Sequence, residues 1–186
     1  MKVSIIQPAG GIICEMNKDA RLTKNFVLSE LANNAGNPQQ AQYLFSPESY
    51  KFNECLQRFR DYCGRPVIIN SGYRQIGYNK SIGGDKNSLH LKACAADIQP
   101  VTDEHGDTNK LFYHIEHWFN TLGASGLIGA INIYPHYTYY HLEAFSDIYL
   151  GYTKSTIRVY SSNNDYNFLR DCYSYYLGDI NIMRCY

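Results

Sequence analysis

Residues 46–70 run SPESYKFNECLQRFRDYCGRPVIIN, a segment that starts, stripes and stops a helix and then passes into a strand. Ser46 is suited to the N-cap, where its hydroxyl accepts an otherwise unpaired backbone N–H, and Pro47 follows at N1, where no N–H is missed. Phe52, Cys55, Leu56, Phe59 and Cys63 recur at i, i+3, i+4, i+7 and i+11 and share one face. Gly64 supplies the usual stop, and after Arg65-Pro66 the β-branched run VIIN (67–70) reads as a buried strand. A one-sided helix leading into a buried strand calls for a helix layer laid on a sheet.

The rest of the chain fits that frame. LTKNFVLSELAN (22–33) reads as an extended entry followed by a helical turn, with Glu30 as a helix or cap residue. SGYRQIGYNKSIGGDKNS (71–88) reads as a long irregular loop, rich in Gly, Ser and Asn. A second helix is expected over 109–122, capped by Asp107 or Thr108 and stopped at Gly123, with Leu111, Ile115, Trp118 and Leu122 as its buried stripe. Residues 127–134 and 138–145 read as two strands joined through Pro135-His136-Tyr137, and TIRVY near the C-terminus as another. The class is α+β, a small antiparallel sheet with flanking helices. The Tyr-rich end beyond TIRVY has no periodicity that assigns it.

Composition narrows the function. Seventeen basic and seventeen acidic residues cancel, so the basic face that a phosphate-tracking nucleic-acid binder needs is missing. No apolar run reaches the 18 residues of a membrane span. Gln7 and Pro8 interrupt the first apolar stretch, so no signal peptide is expected and synthesis is expected in the cytoplasm. The six cysteines (14, 55, 63, 94, 172, 185) form no CxxC pair and read as buried free thiols; a Cys172–Cys185 bridge is open to the chain in an oxidising compartment. Tyrosine, at 18 copies, supplies flat area with a polar tip, and core-edge packing is expected of Tyr134 and Tyr139.

Chemistry concentrates in NSLHLKACAAD (87–97), where His90 and Asp97 bracket a run of small residues. Two readings stand: a loop histidine and a strand-end aspartate, or two ligands of one metal. Residues seven apart on a straight strand face opposite ways, so joint ligation requires a bend, which the small side chains at 93–96 permit. A catalytic zinc takes three N or O protein ligands and keeps one position open. His141 is the candidate third, with Glu143 on the same face of its strand. His114 and His117 are three apart on the second helix with no acid to complete a site and read as solvated. His105, beside Asp103, Glu104 and Asp107, reads as part of a polar turn.

SGYR (71–74), Asn79, Gly83-Gly84, SLHLKACAAD (88–97) and YYHLE (139–143) together resemble the zinc peptidases of the D-alanyl-D-alanine carboxypeptidase type. These share a fold with the hedgehog signalling domain and include phage endolysins. The family pattern S-x-H-x-x-G-x-A-x-D, with a second histidine downstream, matches Ser88, His90, Ala95, Asp97 and His141, and LTKNFVLSEL is similar to the family's opening stretch. The resemblance covers residues 22 to 145. It implies His90, Asp97 and His141 as zinc ligands on a sheet face, Arg74 as holder of the substrate's carboxylate or carbonyl, and His136 as a non-ligating site histidine. Two positions depart from the pattern. Ala93 stands for the glycine, and Thr138 stands where many relatives carry the catalytic acid; some branches place the acid two residues after the histidine, which makes Glu143 the expected base and proton shuttle.

The resemblance thus implies a zinc metallopeptidase domain over 1–149, with a Tyr-rich C-terminal extension, 150–186, packed on it. The expected reaction is hydrolysis of an amide in peptidoglycan stem peptides, in the manner of a phage lysin that reaches the wall after release. The alternative is a zinc-fold module that binds wall peptide or a protein partner without effective catalysis, favoured by Thr138.

Overall fold

The computed structural model describes residues 20–32, 43–100, 108–134, 139–145, 153–160, 163–174 and 180–185. His136 and Thr138, Cys14, and the turn from Asp103 to Asp107 lie outside them, as does the side chain of Leu111.

Helices α1 (Leu28–Leu31), α2 (Pro47–Cys63), α3 (Ile76–Ser81), α4 (Thr108–Ala124) and α5 (Asn163–Cys172) accompany strands β1 (Val67–Ser71), β2 (Ala95–Pro100), β3 (Gly129–Ile133), β4 (Tyr140–Ala144), β5 (Ser155–Tyr160) and β6 (Ile180–Cys185). Among the described residues the strands form one six-stranded sheet in the order β1-β2-β4-β3-β5-β6. The α+β class is as expected, but the sheet is mixed rather than antiparallel: β3–β5 and β5–β6 pair in parallel. The reason lies in the C-terminal segment, where α5 supplies the crossover that a parallel β5–β6 pair needs and a hairpin cannot.

α2 forms as its sequence dictates. The Ser46 hydroxyl accepts the Ser49 N–H at 3.1 Å, Pro47 sits at N1, and Gly64 closes the helix at φ +63°. Its Phe52, Cys55, Leu56 and Phe59 are buried. α2 packs on α4 and α4 on β3, and the Trp118 Nε1–H donates to the Ala130 carbonyl at 3.0 Å, tying helix to strand. Of the α4 stripe, Ile115, Trp118 and Leu122 are buried. α4 runs through Gly123 and ends at Ala124, with Gly126 rather than Gly123 in the left-handed region (φ +65°). Residues 71–88 are not all irregular, because α3 occupies Ile76–Ser81. Near α1, the Val27 N–H donates to Glu30 Oε2 at 2.8 Å, the capping role expected of that residue.

His114 and His117 are not solvated. The α2–α4 contact buries His114, whose Nδ1 lies 3.5 Å from Cys63 Sγ, and Tyr62 stacks on His117 with ring centres 4.8 Å apart. The described cysteines, Cys55, Cys63, Cys94, Cys172 and Cys185, are all free, so the Cys172–Cys185 bridge is not formed; Cys55 and Cys94 are buried, Cys172 is exposed.

Register divides the sheet into two chemical faces. Ile98, Tyr140, Leu142, Ile131, Ile133, Ile157 and Val159 alternate on one side and belong to or pack on the core. On the other, Asp97 stands opposite His141, His141 opposite Asn132, and Asn132 opposite Arg158, one polar row across β2, β4, β3 and β5.

Candidate metal centre

The bend between His90 and Asp97 is real and has a definite form. His90 sits in a 3₁₀ turn over Leu89–Lys92, and Ala93 closes that turn in the left-handed region (φ +54°, ψ +32°). β2 begins two residues later at Ala95. A residue without a Cβ adopts φ above zero most readily, which explains a glycine at this position in the family pattern and shows what Ala93 tolerates. Burial of Ala93, Cys94, Ala95 and Ala96 lets the turn pack flat beneath the site.

Three donors then converge. His90 Nε2 lies 3.1 Å from His141 Nδ1 and 3.3 Å from Asp97 Oδ1, and His141 Nδ1 lies 2.8 Å from Asp97 Oδ1. Two ligands at zinc distances of about 2.0–2.1 Å in tetrahedral array stand about 3.3–3.4 Å apart, so this triangle needs to open by only a few tenths of an ångström. The ring of His90 is fixed from behind, where its Nδ1–H donates to the Gly72 carbonyl at 2.7 Å. That bond leaves Nε2 as the lone-pair nitrogen facing the other donors, the usual arrangement of a ligating histidine. Among the described residues this is the one group of three His, Cys, Asp or Glu side chains so arranged, and it could hold a metal ion.

The surroundings hold the triad in place. Arg74 Nε donates to Ser71 Oγ at 2.9 Å and Nη2 donates to Asp97 Oδ2, so the SGYR arginine orients a candidate ligand while lining the cavity above it. Gly72 is there because Leu31 leaves no room for a side chain: a Cβ would meet the Leu31 carbonyl oxygen at 2.4 Å. Asn79 and Gly84 shape the loop between, with Asn79 Nδ2 donating to the Asp85 carbonyl at 2.8 Å. Glu143 shares the His141 face, as expected, but both of its oxygens are engaged. Oε2 accepts from His141 Nε2 at 2.9 Å, and Oε1 accepts from Arg158 Nη1, which also donates to Asn132 Oδ1 at 3.2 Å.

Charge follows geometry. Burial opposes the imidazolium of His141, yet its hydrogen bonds to Asp97 and Glu143 prevail and raise its pKa to about 9. Burial likewise opposes the charged forms of Glu143 and Asp97. The His141 partner and Arg158 nevertheless hold Glu143 down at about 2, and His141 and His90 hold Asp97 well below the carboxylate range. Burial lowers the pKa of His90. In the metal-free protein a proton on His141 occupies the place between acceptors that a cation would take.

The site opens on a cavity of about 580 Å³. Besides the triad and Arg74, its lining includes Asp85, Asn87, Ser88, Tyr134, Tyr139 and Tyr160. Tyr134 stacks on Tyr160 at 4.8 Å and lies 5.3 Å from Tyr139, so two tyrosines expected only at the core edge border the cavity. Sequence reasoning missed Arg158 and Asn132. The available signal was a charged residue in mid-strand, between Ile157 and Val159, which alternation places on the face opposite the core.

Asp97 and His141 on one sheet face and His90 from the turn before β2 meet at a polar cavity and form a donor set of the kind that holds a catalytic metal. The sequence model of the Peptidase M15 family matches residues 24–128, just over half of the chain, and the protein belongs to that family. The matched stretch holds Arg74, His90 and Asp97 and ends before His141. Among solved structures the chain is similar to the crystal structure of the L-Ala D-Glu endopeptidase ChiX of Serratia marcescens, at 13% identity and a TM-score of 0.42, over 53% of this chain and 80% of that one. No curated protein matches the chain. Among the described residues no helix is long and apolar enough to cross a membrane.

Proposed function

We propose that this M15 peptidase is zinc-dependent and hydrolyses an amide bond in bacterial peptidoglycan stem peptides. The observation that carries the reading is the convergence of His90 Nε2, Asp97 Oδ1 and His141 Nδ1, within 3.3 Å of one another, on an open polar cavity. The donor chemistry, two imidazoles and a carboxylate, fits zinc and leaves a position for water. When bound, the metal supplies a Lewis acid at the scissile carbonyl and lowers the pKa of water to about 7.

The chain's own residues do the rest. Arg74, locked between Ser71 and Asp97, presents a planar guanidinium to the cavity, suited to a peptide carboxylate or carbonyl. His136, five residues before His141, is proposed to steady the developing oxyanion. The resemblance implies Glu143 as acceptor of the proton from the attacking water. Its engagement with His141 and Arg158 supports a different part, developed below. The resemblance to phage endolysins supports delivery to the wall by a phage lysis route.

The test is digestion of purified peptidoglycan of several stem-peptide types, with and without a chelator. Chelator-sensitive release of new amino termini, restored by zinc, is the expected result. Release that survives complete metal removal would refute the reading. A second reading, a zinc-fold module that binds wall peptide without turnover, is favoured by the engagement of both Glu143 oxygens. It predicts zinc-dependent pull-down on peptidoglycan with no new amino termini from any wall type.

A further inference from the structure

Arg158 is a charged residue in the middle of a buried strand, with 8% of its surface exposed. Its neighbours along β5, Ile157 and Val159, face the core, so Arg158 faces the polar side with Thr156. There it closes a chain of contacts. Arg158 Nη1 donates to Glu143 Oε1 and to Asn132 Oδ1, and Glu143 Oε2 receives His141 Nε2–H. His141 Nδ1 is left to the triad. The two nitrogens of an imidazole point away from each other across the ring. A carboxylate bonded to Nε2 therefore stands behind the ring as seen from the donors that Nδ1 meets.

We infer that Glu143 and Arg158 are positioning residues for the metal: Arg158 fixes Glu143, and Glu143 fixes the tautomer and ring angle of His141 so that Nδ1 is the ligating atom. The inference rests on the metal reading above and deepens it. It also makes β5, which lies beyond the stretch matched to the family, a functional part of the centre. The arrangement is balanced front and back: Gly72 holds the far nitrogen of His90 through a neutral carbonyl, while Glu143 holds that of His141 through a carboxylate, which makes the imidazole the more basic ligand. A buried carboxylate in that place needs its own counter-charge, and Arg158 is it.

The experiment measures zinc affinity by competition with a chromophoric chelator, using the full chain and the variants Glu143→Gln, Arg158→Met, Arg158→Lys and the double variant Glu143→Gln/Arg158→Met. Metal-free circular dichroism and Tm report folding. Glu143→Gln and Arg158→Met are each expected to weaken zinc binding by about 10–100-fold. The double variant is expected to lose no more than the larger single loss, because both act through one contact. Arg158→Lys, which keeps the charge without the fork, recovers part of the loss. Should Arg158→Met fail to fold, Glu143→Gln and Arg158→Lys carry the comparison. Zinc affinity within twofold of the parent for Glu143→Gln, with turnover abolished, overturns the inference and returns Glu143 to the role of base. Fully additive losses overturn the chain of action from Arg158. Tight zinc binding by the parent without peptidoglycan hydrolysis leaves the inference standing and removes the proposed substrate; no zinc binding by the parent removes both.

Discussion

Gly72 lies where α1, the SGYR turn and the candidate metal centre meet, so adding one methyl group there tests the architecture at a tight point. In Gly72→Ala the new Cβ would lie 2.4 Å from the Leu31 carbonyl oxygen, 2.8 Å from Leu31 Cα and 2.9 Å from its carbonyl carbon. All three are backbone atoms, and ordinary contact needs about an ångström more than the shortest, so α1 must move away from the turn. Overpacking of this kind costs about 1–3 kcal/mol. The same shift stretches the 2.7 Å bond from Tyr73 N–H to the Leu31 carbonyl, worth about 1 kcal/mol more. A total of about 2–4 kcal/mol should lower Tm by about 5–15 °C in a chain of this size. The Gly72 carbonyl also holds His90, so zinc affinity should fall by about 10-fold. Gly77 is the matched control. It lies in α3, and a Cβ added there would meet nothing within 4 Å, so Gly77→Ala should be neutral or stabilising by up to about 1 kcal/mol. Urea titration and chelator competition on the two variants read both effects. A Gly72→Ala protein that keeps its urea midpoint and its zinc affinity would refute the reasoning.

Ala93→Gly should raise the urea midpoint slightly: relief of the left-handed alanine, about 1–2 kcal/mol, outweighs the added freedom of the unfolded chain, and a loss above about 1 kcal/mol would contradict it. If zinc is the proposed ion it must displace the proton on His141, so affinity should climb about tenfold per pH unit from pH 6.5 and level off near 9; a flat profile across that range would show that the proton is not there. Stability of the metal-free protein runs the opposite way over that range. The raised His141 contributes fully below about 6.5 and loses its contribution as pH rises through about 9, whereas the depressed Glu143 contributes above about 4.5 and loses it as pH falls through about 2. His90, whose pKa burial lowers, works against stability below about 6.5, so urea midpoints of the metal-free protein should decline on both sides of a maximum near pH 6. Gly129→Ala should separate β3 from β4, since its Cβ would stand 2.1 Å from the Glu143 carbonyl oxygen; a soluble, fully folded variant by circular dichroism would contradict this.

Much of this was legible where signals are local. α2 announced itself because cap, stripe and stop lie within one short segment, and the His90–Asp97 bend because parity along a strand is a strict rule. His141 could be paired with Glu143 by alternation alone. What alternation could not supply was the partner across the sheet. Whether Glu143 faces water or an arginine depends on Arg158, which becomes a neighbour only once β5 has been laid beside β3 in parallel. The parallel pairings themselves were hidden because Asn163–Cys172 is short and mostly polar, with few apolar residues to mark it, leaving its crossover role to tertiary packing. His114 was misplaced for a similar reason: a residue on the flank of an apolar stripe is solvated or buried according to how closely the facing helix sits.

The direct opposition of Asp97 and His141 across β2 and β4 has a consequence for how the chain finds its native pairing. A slip of β4 by one residue would put Tyr140 or Leu142 opposite Asp97 and turn His141 toward the helices. Such a slipped sheet would keep most of its backbone bonds, but it would lift Leu142 and Ala144 out of the core and turn His141 and Glu143 into it, so burial already disfavours it strongly. It would also have no third donor. On the proposed metal reading the ion would bind the correctly aligned sheet and not the slipped one, so each tenfold excess of free metal over its dissociation constant would widen the gap between them by about 1.4 kcal/mol. The ion would thus act as a second proofreader of strand alignment, after burial and before any substrate arrives.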